Sequence, residues 1–238
     1  MSIQALTSTC PASERPSSIS SSAYDWLSRG LVVLVFTLLL FACVGGATQV
    51  VLEWGRQPVG PAFLHLAASI SRGLFIALIV TTTLTRLRPI RKATGIEPRL
   101  SALMGTFLLL GLAVLPRADL PPIALAISSG LIIVGMGASF MVLSWLGKSF
   151  SIMPEARRLV TQGPYALVRH PLYLCEEIAV IGAFLQVVSP AAFFIVIIHA
   201  LFQVRRMMNE EKVLKATFED YESYAARTPR LMPLCRFG

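Results

Sequence analysis

Apolar residues in this chain are gathered into blocks long enough to cross a bilayer, separated by short polar breaks. The first block, Gly30–Trp54, is 25 residues long with one charged side chain, Glu53, near its end. As a helix it would be about 37 Å long, enough to span a hydrocarbon core with some tilt. A second block covers Pro61–Thr85 and contains His65 and Arg72. An arginine at that depth must face protein or water, or snorkel to the interface. A third, shorter block covers Leu100–Leu115, and Pro116–Pro122 then reads as a tight polar turn. The fourth covers Ile123–Gly147, where Gly130, Gly135, Gly137 and Ser139 would let neighbouring helices approach closely. Leu172–Val188 and Ala191–Val204 follow, separated by Ser189-Pro190, and read as a helical hairpin or a re-entrant pair.

Composition agrees. Hydrophobic residues make up 55% of the 238 and charged residues 14%, against about 25% charged in a soluble domain. Mean hydropathy is +0.68. These values exclude a disordered chain, a collagen and a disulfide scaffold. Strand-like alternation is lacking. The expected fold is an all-α integral membrane protein with five or six transmembrane or re-entrant helices, the last two forming the hairpin.

The expected organisation has three parts. Residues 1–23, rich in Ser, Pro and Thr, read as a mobile tail without the short apolar core of a signal peptide. Residues 24–147 carry the first spans. Residues 148–238 carry a long polar loop, the hairpin and a C-terminal tail. In that tail Leu214, Phe218, Tyr221 and Ala225 recur at helical spacing, so an amphipathic cytosolic helix is expected, ended by Pro229 and Pro233.

Charge sets an expected topology. With the N-terminus in the cytoplasm and six crossings, 18 of the 21 Lys and Arg residues fall on the cytoplasmic side. Arg56 and Arg117 fall outside. This bias accounts for the net charge of +8 without nucleic acid. It also puts the 148–171 loop and both termini on the cytosolic face of a cytoplasmic (inner) membrane. Oligomeric state leaves no trace in the sequence.

Cys10, Cys43, Cys175 and Cys235 are too far apart to form a C-x-x-C pair, and no metal-ligand spacing is evident. Cys43 and Cys175 read as small hydrophobes. Cys235 is fourth from the end, but Arg236 occupies a position that prenylation requires to be aliphatic. His65 reads as an outer-interface residue and His199 as a partner in a helix–helix hydrogen bond.

Polar groups crowd into Leu159-Val-Thr-Gln-Gly-Pro-Tyr-Ala-Leu-Val-Arg-His-Pro-Leu-Tyr173 and Arg205-Arg-Met-Met-Asn-Glu-Glu211, one at each far end of the hairpin. Taken singly, each has a plain structural reading. His170-Pro171 can start a helix, Tyr165 and Tyr173 can be interfacial anchors, and Arg205, Arg206, Glu210 and Glu211 can be solvated charges. A hairpin, however, brings its far ends together, so Tyr173 and Glu210 are expected to line one pocket.

Arg169-His-Pro-Leu-Tyr173 followed by Glu210-Glu211 resembles the R-H-P-x-Y … E-E signature of isoprenylcysteine carboxyl methyltransferase-like membrane methyltransferases. A more diffuse version occurs in phospholipid methyltransferases and sterol reductases. Leu159–Tyr165 is similar to that family's lead-in, and Phe218, Tyr221, Tyr224 and Pro233 to its C-terminal pattern. The resemblance covers about the last 80 residues. Glu219 stands where the family usually has Gly, and Glu176 and Glu177 where it more often has small or apolar residues.

The resemblance implies S-adenosylmethionine as cofactor. Its contacts would be Arg157, Arg158, Leu159, Val160, Tyr165, Arg169, His170, Pro171, Leu172, Tyr173, Glu210 and Glu211. Arg206 would meet an acceptor carboxylate. The residue types suit a ligand with a sulfonium, an amine and a carboxylate, which calls for aromatic faces, an acid and basic groups. Methyl transfer to a carboxylate or thiolate needs alignment and exclusion of water rather than a general base. For an amine acceptor, Glu176 or Glu177 would serve as base or cation holder. The expected partner is a membrane lipid or other lipophilic acceptor. A nicotinamide-dependent membrane reductase and a non-catalytic membrane or transport protein are the alternatives.

Overall fold

The computed structural model describes residues 18–56 and 58–232; the side chains of 18–25 and 28 are outside the description. Helix α1 (Ser18–Leu52) begins within the stretch assigned to the tail. Residues 1–17, together with Pro233 and Cys235, lie outside the described residues. There follow α2 (Val59–Thr85), a two-residue strand β1 (Arg91–Lys92), α3 (Glu97–Phe107) and a 3₁₀ segment (Leu108–Val114). Then come α4 (Pro122–Leu146), β2 (Glu155–Ala156), α5 (Pro171–Leu185), α6 (Pro190–Lys215) and α7 (Tyr221–Arg227). The only strands among the described residues are β1 and β2, paired antiparallel.

Among the described residues, five helical stretches are long and apolar enough to cross a membrane: Arg29–Leu52, Val59–Thr85, Glu97–Val114, Pro122–Ser149 and Pro190–Lys215. The fold is an all-α integral membrane bundle. At 15 residues, α5 is about 22 Å long and falls short of a full crossing. The stretch expected to form one amphipathic C-terminal helix is divided. Leu214 lies in the end of α6, and Tyr221 and Ala225 lie in the seven-residue α7.

Sequence chemistry sets the helix starts. Pro122, Pro171 and Pro190 occupy first-turn positions, where a missing N–H costs nothing. Ser189 caps α6, its Oγ accepting from the Ala192 N–H at 3.1 Å.

In lipid, helices gain little from apolar burial alone, so close backbone approach matters. The α4–α5 contact is built on it. A Cβ on Gly135 would sit 2.5 Å from the Ala179 backbone nitrogen, and one on Gly182 would sit 2.6 Å from the Ser128 carbonyl oxygen. Ser128 Oγ donates to the Gly182 carbonyl at 2.9 Å. Ser139 is fully buried. Gly130 and Gly137 touch nothing that a Cβ would meet, so two of the four small residues expected at a helix contact are there. Arg72, the deep arginine, donates to Ser69 Oγ of its own helix at 3.3 Å.

The chain crosses back and forth between two ends. Arg29 reaches the Leu84 carbonyl at 3.5 Å, pairing the start of the apolar span of α1 with the end of α2. The Ala118 N–H reaches the Gln186 carbonyl at 2.9 Å, joining the two loops at the opposite end. His65 lies near Arg117 and Gln186 at that end. The 86–96 loop, the 147–170 loop and the end of α6 meet at the first end: Ile90 N–H donates to the Ala156 carbonyl at 2.8 Å, and Arg205 pairs with Glu97 at 3.1 Å.

Gly182→Ala is expected to destabilise the bundle by about 1–3 kcal/mol through overpacking, whereas Gly137→Ala stays within about 0.5 kcal/mol. Thermal unfolding in detergent micelles measures both.

Candidate functional site

The site lies where the 147–170 loop, the start of α5, the end of α6 and α7 converge. Pro171 sets the first turn of α5, so His170 sits just before the helix and Tyr173 in its first turn. Tyr173 Oη donates to Glu210 Oε2 at 2.9 Å across 37 residues of chain. The Arg206 guanidinium lies over the Tyr173 ring, 4.9 Å from its centroid. The His170 ring stacks on Tyr173 with centroids 5.4 Å apart. His170, Tyr173, Arg206 and Arg157 are all buried.

The loop is held on both sides. Gly163 has φ +61, and a Cβ there would lie 2.8 Å from the Trp145 ring, so the turn into Pro164-Tyr165 needs glycine twice over. Tyr224 Oη donates to the Tyr165 carbonyl at 2.6 Å. Burial pushes the Tyr165 phenol well above its ordinary range and the Tyr224 phenol up to about 12, so both stay protonated near neutrality. Glu155, in β2, pairs with Arg157, accepts from Ser151 Oγ at 2.9 Å and lies 3.8 Å from Lys92 Nζ.

The C-terminal segment straps across the same region. The N–H groups of Arg169 and His170 donate to the carbonyls of Pro229 and Arg230 at 2.8 and 3.1 Å. Glu211 gathers His170 Nε2 at 3.0 Å, Arg169 at 3.4 Å and both ends of the Arg230 fork at 3.0 and 2.7 Å. The bond to Glu211 raises the Arg230 pKa.

Of the residues expected at the site, Arg157, Arg158, Leu159, Val160, Tyr165, Arg169, His170, Leu172, Tyr173, Arg206 and Glu210 line one cavity. Three do not. Pro171 is buried as a helix start. Glu211 binds the strap and the Arg169-His170 pair. Glu177 lies deeper, its Oε1 3.0 Å from His199 Nε2, which supplies the helix–helix hydrogen bond expected of His199. Glu176 accepts from Gln203 at 3.5 Å.

The cavity is also lined by Ser149, Phe150, Ser151, Met153 and Glu155, which sequence reasoning passed over as polar linker. An acid two positions before a basic pair in Glu155-Ala-Arg-Arg158 was the available signal. The enclosed space is about 60 Å³, room for a few waters. Among the described residues, no three of His, Cys, Asp and Glu converge as a metal ion would require.

Residues 123–221 match the phospholipid methyltransferase family. Every expected site residue lies within the match, which bears out the resemblance read from the motifs. The chain is 32% identical over 111 residues to the nickel-cobalt-cadmium resistance protein NccN of Alcaligenes xylosoxydans xylosoxydans, covering 45% of this chain and 52% of that protein. It is 36% identical over 76 residues to the cobalt-zinc-cadmium resistance protein CzcN of Cupriavidus metallidurans, covering 32% of this chain and 35% of that protein. The chain thus spans about half the length of the first relative and about a third of the second. The apolar helices make the chain a multi-pass integral membrane protein.

Arg230→Ala removes two hydrogen bonds to Glu211, and the 228–232 strap is expected to loosen. Limited proteolysis of the protein in micelles should cut the variant after Arg227 several times faster, with Tyr224→Phe giving a smaller effect from the loss of about 1 kcal/mol.

Proposed function

We propose that this protein transfers a methyl group from S-adenosylmethionine to a lipophilic acceptor that enters sideways from the membrane. The observation that carries the reading is the Tyr173–Glu210 bond at 2.9 Å, with His170 and Arg206 on the same ring. It juxtaposes an acid, aromatic faces and buried guanidinium groups. The residues fit the cofactor by type: Glu210 and the faces of Tyr165 and Tyr173 suit its positive groups, and Arg157 and Arg158 suit its carboxylate. Leu159, Val160 and Leu172 supply an apolar wall. Arg169, His170 and Glu211 hold the strap over the site.

When bound, S-adenosylmethionine supplies an electrophilic methyl carbon on a sulfonium. The chain's own part is to align the acceptor with that carbon and to keep water out. Arg206, which lies over the Tyr173 ring in the cavity wall, holds an anionic part of the acceptor. The basic residues gathered at the site end of the bundle orient that end to the cytosol, with both termini on the same side.

Calorimetric titration of the purified protein in detergent tests the reading. Saturable binding of S-adenosylmethionine is expected, weakened about 10–100-fold by Glu210→Gln or His170→Ala, the loss expected for hydrogen bonds to charged groups. Binding of a nicotinamide nucleotide in its place, or donor affinity that ignores both substitutions, would count against it.

A further inference from the structure

The loop between α2 and α3 leaves one span at Thr85 and enters the next at Glu97, so connectivity places it at the headgroup level of the site end. Between Arg86 and Leu100 lie the basic residues Arg86, Arg88, Arg91, Lys92 and Arg99, with Glu97 as the one acid. That acid is taken by Arg205 and Asn209 of α6. Arg88 and Arg91 are exposed, and their side chains make no ion pair or hydrogen bond among the described residues. Leu87 and Ile90, interleaved with them, are exposed as well. Such interleaving suits the boundary between acyl chains and headgroups. The aliphatic side chains enter the edge of the hydrocarbon, and the guanidinium groups stay among the phosphates. Zwitterionic headgroups would leave both charges uncompensated, whereas anionic ones neutralise them.

The same loop backs the cavity. Its N–H groups at Leu87, Ile90 and Ala93 donate to the carbonyls of Lys148, Ala156 and Pro154 at 2.9, 2.8 and 3.0 Å. Lys92 Nζ lies 3.8 Å from Glu155 Oε1. Ser149, Phe150, Ser151, Met153 and Glu155, from the segment that accepts these bonds, line the cavity. That segment has little regular structure of its own beyond a 3₁₀ turn and a two-residue strand. Whatever steadies the 86–96 loop therefore steadies this wall.

We propose that the 86–96 loop is a binding surface for anionic lipid headgroups of the leaflet at the site end, and that their attachment to Arg88 and Arg91 stiffens the cavity wall at 148–156. The occupant is a lipid surface and not a dissolved anion, because a dissolved anion would leave Leu87 and Ile90 in water. The surface lies outside the cavity, and the proposal holds whatever the cavity binds. Its consequence is that the charge of the surrounding bilayer regulates the site.

The purified full chain, in uncharged detergent micelles, is titrated with dioctanoyl phosphatidylglycerol, dioctanoyl phosphatidylcholine and inorganic phosphate. The two lipids share a phosphate and differ in net charge. Phosphatidylglycerol is expected to bind about 30-fold tighter than phosphatidylcholine, the effect of two basic residues at an anionic surface. Joint Arg88→Gln and Arg91→Gln substitution should cut that preference to about 3-fold or less. Joint Arg56→Gln and Arg117→Gln substitution, which removes as much charge at the opposite end, should leave it intact. Equal binding of the two lipids, or equal loss in the two double variants, overturns the proposal. Inorganic phosphate binding as tightly as phosphatidylglycerol overturns the lipid surface. Hydrogen exchange in nanodiscs then tests the coupling. Adding phosphatidylglycerol to a phosphatidylcholine bilayer should slow exchange of the Leu87, Ile90 and Ala93 amides several-fold in the unaltered chain and not in the Arg88 and Arg91 variant. Exchange that ignores the lipid in the unaltered chain overturns the stiffening.

Discussion

A polar group at membrane depth has no water to fall back on, so it must find its partner inside the protein. That constraint organises the half of the molecule in which the site lies. Tyr173 finds Glu210, Glu176 finds Gln203 and Glu177 finds His199, all between α5 and α6. At the site end of α6, Glu97 takes Arg205 and Asn209, pinning α3 to α6. A helix pair joined only by apolar side chains could slide or rotate; one joined by these pairs has a single register in which every partner is met.

The short helix α5 depends on a second feature. Its 15 residues do not reach across a bilayer, so it must be held by its neighbours. Gly135 and Gly182 allow α4 to approach so closely that backbone touches backbone. Because α5 is fixed this way, its N-terminus sits at the base of the converging loops, with His170 and Tyr173 turned toward α6. The loop above is fastened by the β1–β2 pairing and by Tyr224 on the Tyr165 carbonyl, and the strap is fastened through Glu211.

The motif residues were legible because their spacing mirrors the hairpin. Tyr173 and Glu210 are 37 positions apart on two helices joined by a tight turn, and that spacing alone brings them together. Arg157 to Val160 were legible only through resemblance. Glu211 could not be separated from Glu210 by sequence, since neighbours on a helix point about 100° apart and only packing says which one faces the cavity. Glu155 was missed because the two-residue strand that places it has no periodicity to read. The split of the C-terminal stretch into the end of α6 and α7 was hidden for a related reason: Leu214, Phe218 and Tyr221 keep helical spacing across the break at 216–220.

By itself the sequence determined the membrane architecture, the hairpin and the side of the bundle on which the basic residues gather, because these follow from local hydropathy and from where charge is affordable. Tertiary structure alone decided that Glu210 lines the cavity and that Glu211 is spent on the strap. It also decided that Glu155 lies beside Arg157 and that His199 holds Glu177. These depend on helix rotation and on contacts between segments far apart in the chain, and neither is encoded in any one stretch of residues.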